Sequence, residues 1–338
     1  MNSRLLYGFI VLLAAFSSCK DNKPIYLKFN GFAQGTTYSI VYQNGGDLSA
    51  EEMISNVEKI LHDFDMSLSL YQDSSVISKI NRNEISVPDA YFTEAFFESK
   101  TISQLTEGAF DITVGPLVRA WGFGPDSQKS FSEARRDSLL NLVGMDKVDI
   151  KDGMIIKTDP RISLDFNAIA QGYSVDVISR YFDDLKIESY LVEIGGEVRV
   201  KGMKGDSMWR IGIDRPVDNN MLPGNDLQTI ISLKNRSLAT SGNYRKFYIE
   251  NGIKYSHTID PGTGYPARNQ LLSATIIADR CAEADGIATA CMVMGKEKSV
   301  EFLNLHPEFD AYLIFSDENG NLRTWVSEKL KSYISEPE

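Results

Sequence analysis

Two oxygen-bearing side chains stand four residues apart in the segment Ala-Asp-Gly-Ile-Ala-Thr, residues 284–289. Asp285 and Thr289 share one face of a helix at this spacing. A carboxylate and a hydroxyl are hard oxygen ligands, which suit Mg²⁺ or Ca²⁺ and do not suit zinc. The alternative is structural, with Asp285 capping a helix and Thr289 bonding its own backbone. The pair alone leaves both interpretations open.

A histidine beside a tight turn is the second candidate. His257 comes just before Asp260-Pro261-Gly262, and an imidazole can take a proton from a hydroxyl near neutral pH. Surface turns often carry functional side chains, although a purely structural histidine is the alternative. His62 and His306 lack such a setting and are expected at the surface.

The segment Ser163–Tyr173 has the pattern of a strand that runs into a helix. Asp165 then lies where unpaired helix amides gather, and Ala168 offers a free carbonyl near the bend. This arrangement can bind a cofactor. The alternative is that Asp165 or Asn167 serves only as a helix cap.

Glycine-rich segments give further candidates. Small residues in Gly108–Pro116 and Trp121–Gly124 let a planar ligand approach the backbone, and the aromatic rings can stack on it. Packing in the core explains the same aromatic residues equally well. Gly195-Gly196 and Thr240–Gly242 are predicted as polar turns that could contact a phosphate.

The charge balance argues against a nucleic-acid-binding surface, because 46 acidic residues outnumber 35 basic ones and the net charge is −11. An anionic ligand would therefore be held by a metal, by helix N-termini or by a few placed cations. Cys281 and Cys291 lie on one predicted helix, too far apart to bridge, so free buried thiols are expected. Three histidines and no Cys-x-x-Cys motif leave little from which to build a zinc or redox-cysteine site.

The N-terminus has the pattern of a lipoprotein signal. Arg4 precedes an apolar run from Leu5 to Phe16, which is too short to span a membrane, and small residues precede Cys19. We therefore predict a signal peptide over residues 1–18, a lipidated Cys19, and a tether over residues 19–24. The alternative is an ordinary signal peptide with a chance cysteine.

Strands and helices alternate along the rest of the chain. Strands are predicted at Ile25–Phe29, Thr36–Tyr42, Met154–Lys157, Ile162–Phe166, Tyr190–Ile194, Arg210–Ile213, Thr229–Leu233, Tyr244–Ile249, Ala311–Phe315 and Leu322–Val326. Helices are predicted after the capping box of Ser49 and Glu52, from Asp89 to before Gly108, from Ser132 to Gly144, from Ala168 to Phe182, and from Ala282 to Met294. Turns are predicted at Gln34-Gly35, Asn251-Gly252 and Asn319-Gly320. Because no fixed-period repeat interrupts this order, we expect one interleaved α+β body.

Taken together, these segments resemble the ApbE-type FAD:protein FMN transferases. The resemblance covers nearly the whole chain after the signal. It is carried by residues 34–38, 108–116, 121–124, 165–173, 193–197, 239–244, 257–266 and 284–289. It implies an α+β fold of interleaved mixed or antiparallel sheets with packed helices, in two intertwined subdomains with a T-fold-like arrangement. One catalytic domain would then span residues 25–335.

The resemblance also implies a reaction. A Mg²⁺ enzyme of this family cleaves the pyrophosphate of FAD, releases AMP, and links FMN to a threonine or serine of a target flavoprotein. The Ala168 carbonyl, Asp285 and Thr289 would hold the metal, and His257 would activate the acceptor hydroxyl. The residues that would contact FAD are Gln34, Tyr71, Ala109, Phe110, Asp111, Asp165, Gln171 and Ile259.

The resemblance further suggests where the enzyme works and with which partner. The acceptor would be a subunit of an electron-transport complex, and the lipid on Cys19 would anchor the enzyme in the bacterial cell envelope, facing the periplasm. Gln171 stands where many relatives carry a charged residue, commonly lysine, and Asn167 stands where glycine is frequent. Two rival functions are a Mg²⁺-dependent FAD pyrophosphatase and a flavin-binding lipoprotein without turnover, the second of which the set of Asp285, Thr289 and His257 argues against.

Overall fold

The structure is a computed structural model, which describes residues 24–45, 47–124, 131–217, 220, 224–243, 247–250 and 253–337. The described helices are α1 (Ala50–Leu68), α2 (Val76–Asn81), α3 (Ala90–Leu105), α4 (Gly115–Trp121), α5 (Glu133–Leu140), α6 (Ala170–Asp184) and α7 (Cys281–Leu305). Short 3₁₀ turns lie at Ile112–Val114, Met145–Lys147 and Lys329–Tyr333.

The described strands are β1 (Tyr26–Ala33), β2 (Thr36–Gln43), β3 (Val148–Lys151), β4 (Met154–Lys157), β5 (Tyr190–Ile194), β6 (Glu197–Lys201), β7 (Trp209–Asp214), β8 (Leu227–Leu233), β9 (Ser237–Gly242), β10 (Phe247–Glu250), β11 (Ile253–Ser256), β12 (Leu271–Ala278), β13 (Asp310–Ser316), β14 (Leu322–Val326) and β15 (Ile334–Ser335). Eight of them form the main sheet, in the order β1-β2-β5-β6-β9-β12-β13-β14. A smaller sheet has the order β15-β8-β7, and β3–β4 and β10–β11 are hairpins. Each of these strand pairs is antiparallel, and the predicted α+β class is confirmed.

The main sheet lies between helices on one face and the smaller sheet on the other. Helix α7 packs on β9 and β12, and α6 packs on β5, β6 and α7. On the opposite face, Trp209 and Ile231 of the smaller sheet share a buried cluster with Val198 and Leu238 of the main sheet. Because β12 is covered on both faces, nearly all of its residues are buried.

Local signals placed several elements correctly. Ser49 and Glu52 form the predicted capping box of α1, and Asp89 caps α3. Gln34 and Gly35 both have positive φ (54° and 72°), as expected for a two-residue hairpin turn between β1 and β2. Helix α7 extends beyond the predicted end, but non-helical Gly295 (φ 76°) interrupts it directly after Met294.

The strand predicted at Ile162–Phe166 is wrong, because this segment is extended but joins no described sheet. The Asn81 side chain takes the place of a strand partner: it donates to the Leu164 carbonyl (2.9 Å) and accepts from its N–H (2.8 Å). Thr240–Gly242, predicted as a turn, lies in β9 within the main sheet. The short helices α2 and α4 were not predicted.

Other predictions have mixed outcomes. Cys281 and Cys291 are buried free thiols, as predicted. His62 is exposed, whereas His306 is only 25% exposed and its Nδ1 lies 3.0 Å from Glu308 Oε1. The signal peptide, Cys19 and the Asn251-Gly252 turn lie outside the described residues, as does part of Tyr244–Ile249. Over the ranges given above, none of the helices combines the length and hydropathy needed to cross a membrane.

Candidate active site

The candidate site centres on the contact between the first turns of α6 and α7. The Gly172 N–H donates to Asp285 Oδ2 across 3.0 Å. A Cβ on Gly172 would lie 2.4 Å from the Cys281 carbonyl oxygen and 2.8 Å from Asp285 Cβ, so only glycine permits this approach. Asp285 lies inside α7, whose N-cap is Arg280. Its interpretation as a cap for its own helix is therefore wrong.

The same hydrogen bond prepares two oxygen atoms. In a regular helix the Gly172 N–H would donate to the Ala168 carbonyl, four residues earlier. Here α6 begins at Ala170 and the Gly172 N–H donates to Asp285, while no backbone hydrogen bond among the described residues ends on the Ala168 oxygen, in the turn before α6. Because Asp285 accepts through Oδ2, its Oδ1 is left for another partner. A turn does precede α6 at Ala168, and the role of this carbonyl as a ligand stays a prediction.

Thr289 lies one turn beyond Asp285, and its Oγ1 is 3.2 Å from Ser241 Oγ in β9. A hydroxyl that gives a lone pair to a cation must direct its proton elsewhere, and Ser241 Oγ is within reach to accept it. Ser241 is thus a residue of the site whose position in a strand the sequence did not reveal.

This set of atoms fits a hard divalent cation. A main-chain carbonyl, a carboxylate and a hydroxyl are the oxygen ligands that suit Mg²⁺. In the described part of the chain, no three His, Cys, Asp or Glu side chains gather into a group that could hold a metal ion. Burial raises the Asp285 pKa to about 7, the Gly172 hydrogen bond lowers it, and the Asp176 charge raises it. A bound cation would favour the ionised carboxylate.

Two glutamines lie at the start of α6: Gln171 belongs to its first turn, and Gln34 contacts Ser174 in the next turn. Gln34, in the β1–β2 turn, accepts a hydrogen bond from Ser174 Oγ through Oε1 (3.3 Å). Its Nε2 is buried and has no acceptor within the described portion of the chain. Gln171 lies against the β5–β6 turn, where a Cβ on Gly195 would be 2.7 Å from Gln171 Nε2. The unpaired Gln34 amide is a donor that a bound ligand could satisfy.

Asp111 and Asp165 are buried on neighbouring segments, joined by the Asp165 N–H donating to the Ile112 carbonyl (2.7 Å). Asp111 Oδ1 accepts from the Thr113 N–H and hydroxyl, whereas Asp165 Oδ1 accepts from the Asn167 N–H. Neither caps an α-helix. Burial raises the pKa of both carboxyl groups. Asp165 also lies only three residues before Ala168 in the chain.

Tyr71 is the exposed aromatic of this region, with 66% of the residue accessible. Partial burial raises the pKa of Tyr71, and the charge of Asp165 raises it further. Phe110, in contrast, is 2% exposed and packs near Gly286 in the core. Tyr71 could therefore stack on a planar ligand, whereas Phe110 would have to contact one through its backbone.

His257 follows β11 and is half-buried. Two residues later, buried Ile259 packs in a cluster with Leu117, Val143 and Trp121. Trp121 Nε1 also donates to the Gly264 carbonyl (2.9 Å), so α4 holds the turn that carries His257. The segment that contains Asp111 leads directly into α4. Ile259 and the turn at Gly264, which follow His257 in the chain, therefore contact the helix that comes directly after the Asp111 segment.

Solved structures with this fold are known. The chain superposes on the flavin transferase ApbE from Vibrio cholerae with a TM-score of 0.82 and 31% identity, covering 92% of this chain and 99% of that one. It also resembles the flavinyl transferase ApbE of Pseudomonas stutzeri in its apo form, with a TM-score of 0.81, 31% identity, and coverage of 92% and 97%.

Curated relatives agree. FAD:protein FMN transferases from Vibrio cholerae and Haemophilus influenzae are each 34% identical to this chain, and the matches cover 90% and 94% of this chain and 92% and 94% of theirs. These likenesses define the class of the protein, which is a transferase enzyme. The ApbE family model matches residues 34–313, and the chain belongs to this family.

Proposed function

We propose that this enzyme transfers the FMN part of FAD to a threonine or serine hydroxyl of a target flavoprotein, with Mg²⁺ bound and AMP released. The observation that carries the proposal is the Gly172–Asp285 hydrogen bond, which holds the Asp285 carboxylate, one turn before Thr289, against the start of α6 just after Ala168. The family and the names of the relatives support a flavin nucleotide as the substrate.

Ala168, Asp285 and Thr289 would hold the metal. When bound, Mg²⁺ supplies positive charge that offsets the charge developing on the phosphate oxygens. The chain itself is acidic, with a net charge of −11, and Gln171 adds no positive charge beside α6. The metal is therefore the principal source of positive charge that we assign to the site.

The other residues of the candidate site would bind the parts of FAD away from the metal. Gln34 Nε2 is a buried donor that gains a partner on binding, and the exposed Tyr71 ring offers a face for stacking. Asp111 and Asp165 accept hydrogen bonds, Gln171 can contact adenine or ribose, and Ala109, Phe110 and Ile259 line the nucleotide.

His257 would act on the acceptor hydroxyl. The hydroxyl oxygen attacks the FMN-side phosphorus while the bond from that phosphorus to the bridging oxygen breaks, so AMP leaves with the bridging oxygen. The proton of the hydroxyl passes to His257, because an alcohol is a weak nucleophile until a base removes its proton. The product carries FMN through a phosphoester.

A direct assay tests this reaction. Enzyme, FAD, Mg²⁺ and an electron-transport subunit from the periplasmic side are incubated, and the subunit is analysed by mass spectrometry while AMP is measured by chromatography. We expect one FMN mass on the subunit for each AMP released, and no change in a subunit whose acceptor threonine is replaced by valine. AMP with free FMN and an unmodified subunit would identify a pyrophosphatase instead. FAD binding without AMP would identify a binding protein.

We also propose that lipid on Cys19 anchors the enzyme in the bacterial envelope, facing the periplasm, on the basis of the apolar run and small residues before Cys19. Cys19→Ala is expected to abolish incorporation of labelled palmitate and to release the enzyme from the membrane fraction. Cys281→Ala is the matched control, because that thiol is buried. Equal labelling of Cys19→Ala and the unmodified protein would contradict the anchor.

A further inference from the structure

Helices α6 and α7 cap each other. Neither N-cap residue, Ile169 in α6 or Arg280 in α7, supplies a side-chain hydrogen bond to its own helix. Asp176 of α6 instead accepts from the first two N–H groups of α7, those of Cys281 (2.8 Å, to Oδ1) and Ala282 (2.9 Å, to Oδ2). In return, Asp285 of α7 accepts from the third N–H group of α6. Each helix start is thus satisfied by a carboxylate from the other helix.

The two caps lie next to each other, and the second of them includes Asp285, a residue of the candidate metal site. Gly172 lies one turn before Asp176 in α6, and Asp285 lies one turn after Cys281 in α7, so the two caps are adjacent. The absence of a side chain on Gly172 keeps the helices in contact between them. A shift of α7 relative to α6 would therefore move Asp285 and Thr289 with respect to Ala168.

Arginine side chains support the ionised form of Asp176. Burial raises the Asp176 pKa to about 6, whereas its two N–H partners and then Arg199 and Arg180 lower it. Arg180 donates to Glu94 (2.6 Å), and Arg199 donates to Ser237 (3.2 Å) and to the Asp279 carbonyl. A carboxylate at the N-terminus of α7 is also favoured by the helix dipole.

We propose that Asp176 is a positioning residue for the metal site: by holding the first turn of α7 against α6, it sets Asp285 and Thr289 at the distance from the Ala168 carbonyl that a divalent cation requires. This inference rests on the proposed function. Asp176 is not among the residues proposed to hold the metal or the flavin, and its contacts with α7 are to the backbone. Groups that orient metal ligands without binding the metal commonly change metal affinity by ~10- to 100-fold.

Asp176→Asn tests the proposal with little change in size. The asparagine oxygen can accept one of the two N–H groups, but its NH₂ group faces the other donor. Binding of Mn²⁺ to the purified protein is measured by electron paramagnetic resonance. We expect the Mn²⁺ concentration at half-saturation to rise about tenfold. The Mg²⁺ concentration for half-maximal transfer should rise equally, while the maximal rate at saturating Mg²⁺ stays within about twofold of the unmodified enzyme.

Asp89→Asn is the matched control. Asp89 Oδ1 caps α3 by accepting from the Phe92 N–H (2.8 Å) and also accepts from Ser67 (2.7 Å), and an asparagine oxygen can accept both bonds, so this variant removes only the charge of a cap away from the α6–α7 contact. We expect little change in its melting temperature and no change in the Mn²⁺ titration. If Asp176→Asn gives no soluble protein, Asp176→Glu is titrated, and the same direction of shift is expected from its longer side chain.

The outcomes separate the two proposals. If the unmodified enzyme binds no Mn²⁺ and transfers no flavin, the proposed function is wrong. If the unmodified enzyme binds Mn²⁺ and transfers flavin, and the Asp176 variants bind Mn²⁺ equally tightly, Asp176 has no positioning role. A loss of maximal rate at unchanged Mn²⁺ affinity would also overturn the proposal, because the defect would then lie outside the metal site.

Discussion

Asp285→Asn is expected to remove Mg²⁺-dependent flavin transfer, with a loss of at least about a thousandfold in the rate of FMN incorporation. Asp285 is the only charged group in the proposed ligand set, and an amide of the same shape offers a single neutral oxygen. That oxygen can still accept from the Gly172 N–H. The NH₂ group can donate to the Ala168 carbonyl, so neither the asparagine nor the Ala168 oxygen would then be left for the metal. Mass spectrometry of the acceptor over a Mg²⁺ series measures the loss.

The same variant should be more stable than the metal-free unmodified enzyme at pH 8. Burial raises the Asp285 pKa from 3.8 to about 7, so the folded protein binds a proton that the unfolded chain releases. The contribution of Asp285 to the free energy of unfolding therefore falls as pH rises from about 4 to about 7 and is constant above that range. A shift of this size corresponds to roughly 4 kcal/mol at most. Asparagine removes this contribution, and urea unfolding at pH 5 and pH 8 measures it.

Added Mg²⁺ should reverse the order of stability, because the ion binds the folded unmodified enzyme and not Asp285→Asn. Glu283→Gln is the matched control: it removes a carboxylate two residues away on α7, outside the proposed ligand set. We expect it to keep both the transfer activity and the Mg²⁺-dependent rise in melting temperature. Flavin transfer by Asp285→Asn at the unmodified rate would remove Asp285 from the metal site.

Short-range signals predicted much of the fold. The capping box at Ser49 and Glu52 marks the start of α1, and two residues that tolerate positive φ mark the hairpin turn at Gln34-Gly35. In these cases the residues that interact are neighbours in sequence. The i, i+4 spacing of Asp285 and Thr289 placed them on one helix for the same reason.

Contacts between distant residues were not predictable in this way. The partner of Asp285 is Gly172, 113 positions earlier, and the partners of Asp176 lie 105 and 106 positions later. Nothing next to Asp176 in the sequence distinguishes it from an acidic residue on a solvated helix face. Reciprocal capping requires both helices to be in place, so only the structure reveals it.

Polar strands and apolar loops caused the main errors. Thr240–Gly242 has the composition of a turn, yet Thr240 Oγ1 lies 2.9 Å from Thr275 Oγ1 and Ser241 reaches Thr289, so tertiary contacts keep these polar residues in β9. The apolar segment around Leu164 has the composition of a strand. Because a single asparagine, Asn81, satisfies the backbone of Leu164, this segment needs no strand partner there.

His257→Ala is expected to slow FMN transfer by about a hundredfold or more while FAD still binds. The proposed role of the imidazole is to take the proton of the acceptor hydroxyl, and His257 is not among the residues proposed to hold the metal or FAD. Transfer is followed under single-turnover conditions by mass spectrometry of the acceptor, and FAD binding is measured by fluorescence. Because the alanine leaves space for a small base, added imidazole should restore part of the rate.

His306→Ala is the control for loss of a histidine, since His306 lies at the C-terminal end of α7 and pairs with Glu308. It should transfer FMN at the unmodified rate. An equal fall in rate and in FAD affinity for His257→Ala would show that His257 binds the nucleotide and does not act as the base. A rate that is slowed but not improved by imidazole would point to a positional role for the turn between β11 and Pro266. If His257→Ala loses transfer but still releases AMP, His257 activates the acceptor hydroxyl, and water attacks FAD in place of that hydroxyl.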